Sequence, residues 1–218
     1  MKNHLLCVVA AVAVSACQVA GNPFAARATE DGLEKIEVRG IDAAYRQPGA
    51  SLGGYTKIQL APVTVSFQKS WRPERDSLIY GMNRPDREAI VRELAELFVE
   101  TARDELQKGG YQLVDAAGPD VLGVKASIVD LMITAPDVPT AGITRTYTMS
   151  AGEMTLVAEL SDSVTGDVLF RVYDRRQARE TGTWQRTTSV QNVAEARNAI
   201  RTWAMILRRQ LDAARAGG

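Results

Sequence analysis

The sequence predicts an α+β fold: a mostly antiparallel sheet of about five strands with two long helices mainly on one face, ordered strand-helix-strand-strand-strand-strand-helix. Three observations carry that prediction. Apolar residues recur at helical spacing in two stretches, Ile90, Leu94, Leu97, Phe98 and Thr101, then Val193, Ala196, Ile200, Trp203, Leu207 and Leu211. Between them, Leu122-Val124-Ala126-Ile128, Met154-Leu156-Ala158-Leu160 and Val168-Phe170-Val172 alternate with the period of strands. The 218 residues are 45% hydrophobic and 24% charged, ordinary for a chain that buries one core.

An export signal comes first. Lys2 precedes an apolar run of ten residues, Leu5 to Val14, which is short of the roughly 20 needed to span a bilayer but suits a signal-peptide core. Val14-Ser15-Ala16-Cys17 follows and resembles a bacterial lipobox, in which the cysteine is acylated and becomes the first mature residue. Bacterial lipoproteins resembling this one typically carry three acyl chains, and several chains anchor stably where one does not. Residues 1–16 are therefore expected to be a signal peptide, 17–44 a lipidated N-terminus and linker, and 45–214 a single periplasmic domain. Gln18 follows the cysteine, in place of the Asp that typically retains enterobacterial lipoproteins in the inner membrane. The outer membrane, on its periplasmic face, is the expected location.

Processing removes His4 and Cys7, and acylation consumes Cys17. The mature domain then lacks an imidazole base for nucleophilic catalysis and the usual ligands of zinc and haem. No cofactor and no metal are expected. With 26 basic and 26 acidic residues, nothing in the net charge calls for nucleic acid.

Along the domain, Pro48-Gly49 marks a turn and Gly53-Gly54 a second flexible point. Ile58 and Leu60 share a strand face, and the parity changes after Pro62 to Val63, Val65 and Phe67, which predicts a bulge or edge position at the proline. The first helix should be capped by Asn83, carry Pro85 in its first turn and stop at Gly109-Gly110. Tyr111 to Val114 is a short strand. A long strand then runs from Val121 to Ile133, and the turn from Asp162 to Asp167 closes the clearest hairpin. Asn192 and Glu195 stand at capping-box spacing before the last helix. If the first helix crosses over between parallel strands and each later strand reverses, the segments 134–152 and 180–190 leave the sheet at the same end.

The segment Tyr45-x-x-Pro48-Gly49-Ala50-x-Leu52-x-x-Tyr55, followed by Ile58-x-Leu60-x-Pro62-Val63-x-Val65, resembles a family of exported bacterial lipoproteins catalogued as a domain of unknown function. The Phe98 helix and the turn from Asp162 to Gly166 fit the same pattern, so the resemblance covers about residues 40–212. It implies export and brings no catalytic residues. More distantly, the element order looks like the small α/β domains of envelope-assembly lipoproteins serving curli or exopolysaccharide export.

Arg145, Tyr147, Arg179, Trp184 and Arg186 gather in the two loop segments and form the candidate partner-binding set, since exposed Arg and aromatic side chains suit recognition. The end of the molecule with Trp71, Tyr80 and the Asp162 turn is a second candidate. From Arg171 onward, ten Arg face only Asp174, Glu180, Glu195 and Asp212; such Arg either approach anionic headgroups or pair locally with carboxylates. Asp130 interrupts an apolar stripe, as a catalytic carboxylate or a strand leaving the core would. The expected function is a non-enzymatic envelope component, held to the membrane by its lipid and bound to another envelope protein or a glycan. The alternative is a carboxylate-dependent glycan hydrolase built on a pair of Asp or Glu.

Overall fold

Both long helices form where the helical stripes place them: α1 spans Arg84–Lys108 and α2 spans Ser189–Ala216. The computed structural model describes residues 28, 31–69, 84–133, 151–177 and 189–217. In α1 the predicted face of Ile90, Leu94, Leu97, Phe98 and Thr101 is buried. The helix stops as expected. The Tyr111 N–H donates to the Leu106 carbonyl (3.2 Å), the Gly110 N–H to that of Gln107 (2.9 Å), and Gly110 takes φ +77°. This double closure satisfies the last carbonyls and requires a left-handed residue, which glycine supplies without strain. The start of α2 differs from expectation. It begins at Ser189, three residues before the Asn192 cap that the sequence suggests, so Asn192 and Glu195 lie inside the helix rather than at its start.

The sheet is larger than predicted, and it is mixed. Among the described residues it has eight strands: β1 (Glu34–Ile36), β2 (Ala43–Arg46), β3 (Lys57–Leu60), β4 (Thr64–Phe67), β5 (Gln112–Leu113), β6 (Val121–Ile133), β7 (Ala151–Asp162) and β8 (Val168–Gln177). Their order is β1-β2-β8-β7-β6-β3-β5, with β4 also paired to β6. The expected mostly antiparallel sheet of five strands is thus corrected in two ways.

First, β6 does not reverse. It runs parallel to β3 and β4, and β5 runs parallel to β3. The physical reason is α1, which carries the chain back to the starting end of the sheet, as parallel pairing requires. Second, residues 34–44, read from sequence as the end of a linker, contribute β1 and the first half of β2. These strands pair antiparallel with each other, and β2 pairs with β8, a contact some 130 residues distant in sequence that no local pattern announces. The predicted irregularity at Pro62 is present. β3 and β4 lie end to end along β6, separated by Ala61-Pro62-Val63, where the proline has no N–H to give to a ladder. The β7–β8 hairpin closes at the predicted turn.

One sheet face carries both helices. α1 packs over β4 and β5 and against α2, while α2 lies over β7. Ile90, Leu94, Phe98, Ile128, Leu156, Ile200 and Trp203 form the larger core cluster on this face, and Leu106, Tyr111, Ile58, Leu122 and Leu211 a second one. The parity of β6 changes at Asp130, which takes φ +53° beside a break in register between Val129 and Met132. The bulge turns Asp130 outward and Leu131 into the core. The apolar stripe is therefore continued past the residue that seemed to break it.

Candidate functional site

Cross-strand register arranges the helix-facing side chains in rows. The middle row reads Ala126 (β6), Ala158 (β7), Val172 (β8), Ala44 (β2) and Ile36 (β1). Three of its five members are alanines, and the helices above contribute Ala102 from α1 and Ala204 from α2. Small side chains facing one another leave space. The result is a cavity of about 490 Å³ between α2 and the β1–β2 edge. Protein interiors are otherwise close-packed, and a volume of this size falls in the range of small-molecule sites.

The slot is apolar along most of its length. Leu156, Leu160 and Phe170 line its floor, Phe98 and Leu106 its back wall, Trp203, Ile206 and Leu207 the α2 side, and Val38 and Ile41 the opposite lip. It exists because two helices cover only part of a wide sheet. α1 and α2 sit over the β4, β5 and β7 region, so the β1–β2 edge faces α2 across a gap. Turns of the N-terminal arm approach α2 at both ends of that gap. A Cβ on Gly40 would lie 3.3 Å from Ile206 Cδ1, and one on Gly53 would lie 2.9 Å from the Ala214 carbonyl oxygen.

The rows on either side of the alanines each bring a polar group to the slot, one at each of its ends, and the two groups differ in how well they are matched. On one side, Leu156 pairs with Asp174, a buried carboxylate. It accepts from Trp203 Nε1 (2.6 Å), the Asp42 N–H (3.1 Å) and Arg176 Nε (2.6 Å). On the other side, Leu160, Phe170, Arg46 and Glu34 follow in register. Arg46 lines the slot, and its Nε is buried with no hydrogen-bond partner among the described residues. Glu34 stands opposite it but is exposed, and no ion pair among the described residues joins the two. One end of the slot is thus electrically closed, and the other presents a half-buried guanidinium whose Nε has no partner among the described residues.

Two further polar links fix the walls. Tyr55 of the N-terminal motif donates its hydroxyl to Asp162 at the hairpin turn (3.0 Å), which joins the two motif segments in space. Burial and that carboxylate push the Tyr55 hydroxyl up to about 12. Tyr111 donates to Asp212 of α2 (2.8 Å) and is likewise pushed up to about 12, by burial and then by that hydrogen bond. Glu105 of α1 is buried, which raises its carboxyl, but Lys108 and Arg208 outweigh burial and hold it below its ordinary value.

The C-terminal arginines pair locally. Arg171 bridges Asp31 and Glu159, Arg175 meets Glu153, Arg176 meets Asp174, and Arg208 meets Glu105. Of the residues singled out from sequence, Cys17, Trp71, Tyr80, Arg145, Tyr147, Arg179, Trp184 and Arg186 lie outside the described residues. The strand ends nonetheless show where two of those segments depart. Ile133 pairs with Ala151, and Glu153 with Gln177, so the chain leaves β6 and β8 at one end of the sheet, as expected. Asp130 is exposed on its bulge. Sequence reasoning did not find the slot or Arg46; the only signal was the coincidence of alanines at inward positions.

A family model described as "Protein of unknown function (DUF3313)" matches residues 28–207, which bears out the resemblance to such a family. No curated protein matches the chain significantly. Among solved structures, the chain is similar to a PelC dodecamer from Paraburkholderia phytofirmans, with 12% identity, TM-score 0.40, and 76% of this chain and 95% of that one covered. It is similar to a minor lipoprotein from Acinetobacter baumannii, with 13% identity, TM-score 0.37, and 74% and 95% covered. It is also similar to a putative neuraminyllactose-binding hemagglutinin homolog from Helicobacter pylori, with 9% identity, TM-score 0.37, and 74% and 85% covered. Likeness at such identities attaches no activity to the chain.

Proposed function

This chain belongs to the DUF3313 family of proteins of unknown function, and from that premise we propose that it is a non-enzymatic lipoprotein of the cell envelope. In this reading Cys17 anchors it to the periplasmic face of the outer membrane, and its domain binds another envelope component through the slot beside α2. The observation that carries the binding role is the slot itself. A cavity of about 490 Å³ with an apolar lining, and one arginine whose buried Nε has no partner among the described residues, supports a binding role, since filling it with side chains would have been the more stable solution. The lipobox Val14-Ser15-Ala16-Cys17 supports the location, and no helix among the described residues is long and apolar enough to cross a membrane. The lack of His and free Cys in the mature domain supports a role without catalysis. Arg145, Tyr147, Arg179, Trp184 and Arg186 remain the proposed contacts for a protein or glycan partner.

A photo-reactive residue in place of Ile206, on the α2 side of the slot, tests the binding role in intact cells. Adducts are expected from that position and not from Val164, which is exposed on the hairpin turn and does not line the slot. Equal labelling from both positions, or none from Ile206, would overturn it. Release of reducing sugar from envelope glycan by the purified protein, lost in Asp130→Asn, would favour the hydrolase instead.

A further inference from the structure

The polarity of the slot identifies its ligand class. We infer that it binds a single-chain anionic amphiphile, with the acyl chain crossing the alanine row on the apolar floor and a carboxylate or phosphate head at Arg46. The inference rests on the binding role proposed above and adds the chemistry of the ligand. Ala126, Ala158 and Ala44 give a narrow floor without hydrogen-bonding groups, which a methylene chain matches and a glycan or a polar peptide does not. At the Asp174 end, three donors already match the carboxylate, so that end has no call on a further charged group. At the opposite end, Arg46 Nε is buried and has no partner among the described residues. A buried donor left unmatched is costly, and a guanidinium is matched best by a carboxylate or phosphate. Arg46 is directly beside Phe170 in register, so a head group bound there is continuous with the apolar floor. Charge complementarity at one end and its absence at the other therefore set the direction in which the ligand lies. An uncharged lipid would leave Arg46 as it is, and a free anion would leave the alanine row empty.

Trp203 lines the slot, which gives the test its reporter. The purified full-length protein, transferred from detergent into an amphipathic polymer, is titrated with 9,10-dibromostearate below its critical micelle concentration, and tryptophan fluorescence is followed. Saturable quenching is expected, absent in Trp203→Phe and strongly reduced in Ala158→Leu or Ala204→Leu, which fill the slot from opposite walls. Arg46→Gln should weaken binding about tenfold, with Arg46→Lys intermediate. The corresponding brominated alcohol should bind wild type no better than it binds Arg46→Gln. Equal affinity of acid and alcohol for wild type, or no effect of Arg46→Gln, overturns the head-group assignment. Displacement of the probe by inorganic phosphate alone overturns the acyl assignment. Quenching that appears only after deletion of residues 18–27 means that the chain's own segment fills the slot, which also overturns it. If the probe never binds while Ile206 still labels a macromolecule in cells, the ligand class is wrong and the binding role stands.

Discussion

Trp203 Nε1 donates a 2.6 Å hydrogen bond to Asp174 Oδ2, tying the middle of α2 to β8. Both residues are buried. The carboxylate also accepts from the Asp42 N–H and from Arg176 Nε, so this one group holds α2, the β1–β2 turn and β8 together. A buried charge is tolerated only when paired and hydrogen-bonded, and here every contact comes from a different part of the chain.

Removing either partner should therefore be expensive. Asp174→Ala leaves Trp203 Nε1, Asp42 N–H and Arg176 without an acceptor and is expected to cost about 3–5 kcal/mol. Trp203→Ala should cost a similar ~3–5 kcal/mol through lost packing and the abandoned carboxylate. Trp184→Ala is expected to stay within roughly 1 kcal/mol of wild type, as a loop substitution would. Urea denaturation of the three variants checks the assignment, and a loss at Trp184 as large as that at Trp203 would refute it.

Two hydrogen-bonded tyrosine hydroxyls give an alkaline signature. Tyr55 and Tyr111 are each pushed up from 10.0 to about 12, so between those values the unfolded chain loses protons that the folded chain keeps. Stability from these hydroxyls is present below pH 10 and falls as pH rises toward 12. Ultraviolet titration of phenolate absorbance should show a late-ionising component that shrinks in Tyr55→Phe and again in Tyr111→Phe. Full ionisation of every tyrosine near pH 10 in the native protein would contradict this.

On the acid side the sign reverses. Glu105 is held below its ordinary value of 4.5 by Lys108 and Arg208 against the opposing effect of burial. Glu153 is held below 4.5 chiefly by its hydrogen bond from Arg175. These groups contribute stability that is present above pH 4.5 and lost as pH falls through their lowered values. Glu105→Gln should lower stability at pH 7 and flatten the acid limb of the stability profile, measured by denaturation at successive pH values. An unchanged slope below pH 4.5 would show that the α1–α2 contact does not depend on this charge.

Asp130 occupies a left-handed conformation at the β6 bulge. Asp130→Gly should be neutral or slightly stabilising, because Gly takes positive φ freely and Asp does so at a cost. Asp130→Val should lose about 1–3 kcal/mol, since a β-branched side chain is strained there. Thermal melts of the pair separate the two cases. A destabilised glycine variant would indicate that the Asp side chain, rather than the backbone, matters at the bulge.

Cys17→Ala is expected to release the protein from the outer-membrane fraction while leaving the domain folded. The acyl group is the expected anchor, and position 17 precedes the sheet. Fractionation with a high-salt wash, alongside circular dichroism of the released protein, measures both halves of the expectation. Continued sedimentation of the variant with membranes would remove the lipobox from the account.

What the sequence determined by itself is local. Helical spacing located α1, α2 and the inward position of Trp203; Gly109-Gly110 ended α1; and the Asp162 turn closed the hairpin. Each depends on residues a few positions apart, and their physical chemistry is the same in any fold. Pro62 announced a break, and it also occurred. What only the tertiary structure decided is which strands are neighbours. Period-two alternation says that Ala126, Ala158 and Ala44 each face inward, but it does not say that β2 joins β8 or that β6 lies parallel to β3. Those pairings join residues far apart in the chain, Ala43 with Tyr173 and Lys57 with Val121, and depend on α1 returning the chain to one end of the sheet. The slot follows from them. Three alanines become one floor only when β8 joins β2 to β7, and Arg46 lines the slot only when the β1–β2 edge faces α2.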